Sequence, residues 1–202
     1  MTPTHQQEGL RAVVRTVALL NIGYFGVEFA VALTIGSVSL FADSIDFLED
    51  ASINLLILVA LGWTARHRAR VGTALAGVLL VPGLATLWTA WEKIAVPVAP
   101  APVPMTLAAA GAFAVNFSCA LMLARYRNHS GSLTRAAFLS SRNDVLANIA
   151  IIGAGLLTAL TVSAVPDLVV GLGIFLLNFN AAREVFLAAR DERRLAEAGD
   201  DD

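Results

Sequence analysis

The sequence predicts an all-α fold, a polytopic membrane protein with six transmembrane helices, and three observations predict it. Apolar runs of membrane-spanning length recur along nearly the whole 202-residue chain. Only 15% of the residues are charged and 57% are hydrophobic, whereas soluble domains average about 25% charged. The basic residues also segregate to one side of the ladder that six runs would make.

A helix needs roughly 20 apolar residues to cross a hydrocarbon layer of about 30 Å. Taken in order, the runs predict spans at 12–34, 39–62, 71–91, 104–125, 138–161 and 166–188. Gly36 and Ser37 end the first, and the basic stretch Arg66, His67, Arg68, Arg70 ends the second. The proline-rich PVAPAPVP at 97–104 stops the third, because proline lacks the amide a continuing helix requires. Arg125 to Arg135 separates the fourth and fifth, and Ala164-Val165-Pro166-Asp167 the last two. Pro82 is placed to kink the third run.

Six spans put both termini and the 63–70 and 126–137 loops on one side. With the adjoining helix ends, that side holds thirteen of the fourteen basic residues, and the other holds only Lys93. Cationic loops are retained in the cytoplasm, so both termini are expected there, whereas five spans would scatter the basic loops over both faces. The expected organisation is a cytoplasmic tail over 1–11, a membrane domain over 12–188 and a short charged tail over 189–202. The start, MTPTHQQEGLRAVVR, lacks the pattern of a cleaved signal, so the first run is expected to be a retained span. Cys119 alone permits neither an intrachain disulfide nor a cysteine-rich metal cluster. The net charge of −2 says nothing about nucleic acid; the basic residues are distributed by loop instead, and a lipid membrane rather than nucleic acid is the expected partner.

The second span, SLFADSIDFLEDASINLLILVALG, carries the chemistry. At about 100° per residue Asp43, Asp46, Asp50 and Asn54 share a narrow arc, while Glu49 points elsewhere. Carboxylates inside a membrane are costly and mark binding sites or permeation paths; the competing reading is a polar stripe that only fixes helix packing. In the fifth span Ser140, Asp144 and Asn148 repeat every four residues on one face. Arg142 projects from another side of that helix and is a poor counter-ion for Asp144. A divalent cation compensates clustered carboxylates better, since hard oxygen ligands suit Mg, Mn and Ca and zinc also accepts them. If the fifth helix began at Asp144, its carboxylate would be only a cap. Asn21 and Glu28 share a face of the first span, and Glu28 reads as either an interhelical hydrogen-bonding group or a proton carrier. Asn116 and Ser118 mark the fourth span, and Asn178 and Asn180 the sixth. His5, His67 and His129 fall in the tail and loops, outside every span.

The stretch SVSLFADSIDFLEDASINLL resembles the second span of the cation diffusion facilitator family, proton-coupled efflux transporters of zinc and related divalent metals. Asp43 matches the family's early aspartate, and Asp46 with Asp50 match its metal-binding pair. SSRNDVLANIAII resembles the fifth span, with Asp144 in the final ligand position and Ser140 where the family has His or Asp. The resemblance covers about residues 11–188 and implies a metal site of Asp46, Asp50, Asp144 and Ser140. Serine is a weak donor, which leaves water, Asn143, Asn148 or Asn21 to complete the shell. It further implies Zn, Mn, Co, Cd or Fe as the divalent substrate, exchange against protons, no enzymatic activity, and a homodimer formed through transmembrane helices. The SRND form of the fifth span is similar to a subset of bacterial members, which implies a bacterial inner membrane location. The family's cytoplasmic C-terminal module is expected to be absent, so dimerisation is expected to fall to the membrane helices. The alternative is a non-transporting scaffold or partner subunit with a vestigial metal site.

Overall fold

The structure, a computed structural model, describes residues 3–60, 84–126 and 132–179, with side chains placed over 8–59, 84–126 and 137–179. The basic residues Arg66, His67, Arg68 and Arg70, together with Pro82, His129, Asn180 and the 189–202 tail, lie outside the described residues, as does the side chain of His5. Among the described residues there are six helical segments: α1 Pro3–Ile35, α2 Val38–Ala60, α3 84–95, α4 Pro102–Ala124, α5 Ser132–Thr161 and α6 Val165–Phe179. Three carry stretches long and apolar enough to cross a membrane, at Glu8–Ile35, Pro102–Ala124 and Ala137–Thr161. α2 has the length but is loaded with acids.

Two helices run longer than expected. α1 has 33 residues, about 50 Å at 1.5 Å per residue, so its first turns project beyond a hydrocarbon layer. There the polar sequence THQQEG is free to stay helical in water. α5 begins at Ser132, twelve residues before Asp144, which therefore sits mid-helix and caps nothing.

The bundle is inside-out. On α1, Asn21 and Glu28 are fully buried while Leu19 and Val27 are exposed; on α5, Asn148 is buried and Leu160 is 81% exposed. An aqueous protein hides its leucines, whereas a chain dissolved in lipid turns them outward and encloses its polar groups. α1 lies along α2 and α4 along α5, and contacts between α1 and α4 and between α2 and α5 close the ring. One apolar cluster, including Leu40, Phe41, Met105, Ala109, Ile151 and Ile174, fills the end nearest the α1–α2 turn. A second, with Val14, Val17, Ile57, Cys119 and Leu123, fills the opposite end. The acidic stretch of α2 lies between them.

The α1–α2 turn is tied down by a residue from 130 positions away. α1 ends at Gly36, whose φ of 63° suits a glycine, and the Ser37 amide bonds back to the Ala32 carbonyl at 3.0 Å. Ser37 then caps α2, accepting the Leu40 amide at 3.2 Å. The two preceding orphan amides, Val38 and Ser39, donate to the Asp167 carboxylate at 2.9 and 3.0 Å. The Ser37 and Ser39 hydroxyls donate to the same group, each at 2.7 Å. Asp167 thus serves as a borrowed N-cap, its negative charge facing the positive end of the α2 dipole. Lys93, in the last turn of α3 and beyond the expected 71–91 span, donates to the Gly36 carbonyl, and its Nζ lies 3.8 Å from Asp167. Burial pulls the Lys93 pKa down and Asp167 opposes that pull. α6 can approach this closely because Gly171 has no side chain: a Cβ there would meet the Ser39 amide nitrogen and the Val38 carbonyl carbon at 2.8 Å.

Gly171→Ala must push backbone against backbone, so it is expected to cost about 1–3 kcal/mol and to lower the melting temperature in detergent. Gly173→Ala, whose Cβ would meet nothing within 4 Å, should melt like the parent. Asp167→Ala strands Lys93 and four donors in a buried site and is expected to cost about 3–5 kcal/mol in the same melt.

Candidate metal centre

Alternation of polar and apolar faces along α2 places its acids. Asp43, Asp46, Asp50 and Asn54 are all buried, at 6% exposure or less, as their shared arc requires. Glu49, off the arc, is only half-buried. Across the α2–α5 contact, Asp144 and Asn148 are buried one turn apart while Arg142 and Asn143 are exposed and bond to each other at 3.2 Å. Arg142 is therefore directed away from the acids, as its position on the helix wheel implies.

Asp50 and Asp144 come together. The Asp50 carboxylate is within hydrogen-bonding reach of Asp144, Ser140 and Ser141, and the Ser141 hydroxyl donates to its Oδ2 at 3.1 Å. Asp46, one turn along α2, is engaged differently: Asn178 of α6 donates its amide to Asp46 Oδ1. Among the described residues no group of three His, Cys, Asp or Glu side chains is gathered for an ion; the arrangement is a carboxylate pair with two serines, and a third carboxylate held by α6. Of the proposed completing groups, Asn143 faces outward, Asn148 is occupied by Asp43, and Asn21 is buried with neither amide atom bonded.

A second polar chain crosses the bundle beside these residues. Asn116 on α4 donates to Asn148 Oδ1 at 3.1 Å, and Asn148 donates in turn to Asp43 Oδ2. The Glu28 carboxyl on α1 lies within hydrogen-bonding reach of Asp43. Both Glu28 oxygens and Asp43 Oδ1 are buried without a donor. Tyr24, one turn before Glu28, is fixed by a 2.6 Å bond to the Ala108 carbonyl.

Sequence reasoning missed three participants. Ser141 shares α5's inward side with Ser140 and lies three residues before Asp144, so helical spacing alone would have found it. Asn178 was visible as an amide in an apolar run, a signal without a partner. Asp167 had no signal beyond a turn-like setting.

Chemically, the arrangement offers hard oxygen donors inside an apolar bundle and no nucleophile–base pair, and it suits a cation. No curated protein matches the chain. The sequence does match the family described as the cation efflux transmembrane domain, over residues 14–189. That span takes in every acid described above, and the chain accordingly belongs to the cation efflux transmembrane-domain family, whose members are metal transporters of the membrane and not enzymes.

Proposed function

We propose that this protein exports a divalent transition metal, zinc or a near relative such as Mn, Co, Cd or Fe, in exchange for protons. It would do so as a six-span homodimer in a bacterial inner membrane with both termini cytoplasmic. The observation that supports this most is the meeting of Asp50 and Asp144, from two different helices, in the buried interior of an inside-out bundle. Two carboxylates held at close range in low dielectric repel, and a dication between them turns that repulsion into binding.

In this reading Asp46, Asp50 and Asp144 are the carboxylate ligands of the travelling ion and Ser140 the fourth donor. Ser141 is a positioning residue, since its hydroxyl orients Asp50. Asp46 joins when the Asn178 amide releases it, which ties loading of the site to the position of α6. The apolar clusters at the two ends are the barriers that must part in turn. Because ligands bind metal only when deprotonated, loading expels protons, and protons arriving from the far side expel metal.

Equilibrium zinc binding to purified protein, followed by flux into liposomes, tests the reading. Wild type is expected to bind stoichiometrically, and Asp50→Asn and Asp144→Asn to lose both binding and flux. Wild-type flux in either variant would remove Asp50 and Asp144 from the path, and a folded wild type that binds no divalent ion would favour the scaffold reading. Ser141→Ala is expected to weaken zinc binding by about 10–100-fold, the range for groups that orient ligands. Ser140→Asp, which supplies a stronger donor, should tighten it.

A further inference from the structure

The buried carboxyls of Glu28 and Asp43 have no role among the metal ligands. They face one another across the α1–α2 contact, each fully buried. Donor and acceptor capacities decide what that contact can be. Asn116 gives its amide hydrogens to Asn148 Oδ1, so Asn148 presents its own NH₂ to Asp43 Oδ2. Asp43 Oδ2 is therefore an acceptor. What remains is Asp43 Oδ1 against the two Glu28 oxygens, none of which has a donor. Two carboxyl groups form a hydrogen bond only through a proton held between them, and without one the pair would be two bare negative charges in low dielectric.

The geometry points to the Glu28–Asp43 pair as a proton-binding site, separate from the metal ligands, that releases one proton when a cation occupies Asp46, Asp50 and Asp144. Release on loading rests on the transport reading above; possession of the proton does not. The coupling is electrostatic. Asp43 acts at a distance on both Asp46 and Asp144, and Glu28 is within the field of Asp46. A dication on those ligands therefore raises the positive potential at the pair and favours loss of its proton. Among the described residues the groups that bear on Glu28 are Tyr24 on its own helix and Asp43 and Asp46 on α2, while α4, also packed against α1, contains no Asp, Glu, Lys, Arg or His; Asp50 also bears on Asp43. Asn148 adds a mechanical link, since it sits one turn from Asp144 on α5 and holds Asp43.

Two measurements on the full chain test this. Infrared spectra of the metal-free protein at neutral pH should show the carbonyl stretch of a protonated carboxyl, reduced by one group in Glu28→Gln and still present in Asp50→Asn. In weakly buffered detergent solution, zinc added to Glu28→Gln should bind with unchanged stoichiometry and release one proton fewer per ion than wild type. An infrared band unaltered by Glu28→Gln, or equal proton release in the two proteins, overturns the proposal. So does loss of one bound zinc in Glu28→Gln, which would make the pair a metal site. Should wild type bind no zinc, the transport reading and the coupled release fall together, and the infrared band still decides whether the pair holds a proton. If Glu28→Gln does not fold, Asp43→Asn is read in both assays by the same criteria.

Discussion

Five carboxyl groups, Glu28, Asp43, Asp46, Asp50 and Asp144, are enclosed in an apolar bundle at 9% exposure or less, and the rest of the structure answers to that burden. An ionised carboxylate stripped of water is unfavourable by several kcal/mol even after relaxation. Among the described residues no arginine or lysine offsets it: Arg142 turns outward and Lys93 is occupied by Asp167. The neighbours are neutral donors, Ser141 to Asp50, Asn148 to Asp43 and Asn178 to Asp46. Amides and hydroxyls orient carboxylates without cancelling their charge, which in the proposed function leaves the cluster open to a mobile cation.

Holding such a cluster requires a rigid frame, and Asp167 provides the joint. Its carboxylate satisfies the first amides of α2, the helix that carries most of the acids, and does so from the start of α6. α6 also reaches α2 further along, where Asn178 bonds Asp46. One helix therefore fixes both the end of α2 and one of its acids. In the proposed function the ligands thus divide into Asp50 and Asp144, set by α2 and α5, and Asp46, which α6 also holds.

The glycines show how far helix packing could be read in advance. Gly23, Gly26, Gly153 and Gly173 would each admit a Cβ without contact, whereas Gly155 lies against Thr106 and Gly171 against the α2 backbone. Glycine is common along these helices in the sequence, but only the helix crossings separate the positions that need it from those that do not. The same holds for amides. Asn116, Asn148 and Asn178 were evident as polar residues in apolar runs, yet each is explained by a partner at least 32 positions distant.

The sequence by itself determined that the fold is helical and membrane-embedded, and that Asp43, Asp46, Asp50, Asp144 and Asn148 turn inward. Those properties follow from hydropathy and helical period, which are local. It also bounded the chemistry, because carboxylates in apolar helices have few uses. Tertiary structure alone decided which acids meet: Asp50 with Asp144, Asp43 with Glu28, and Asp46 with Asn178. It alone assigned Asp167 to the end of α2 and placed Asp144 in the middle of α5. Such pairings depend on the rotation and depth of one helix against another, and these are set by side-chain packing summed over whole interfaces, which no periodicity within a single helix encodes.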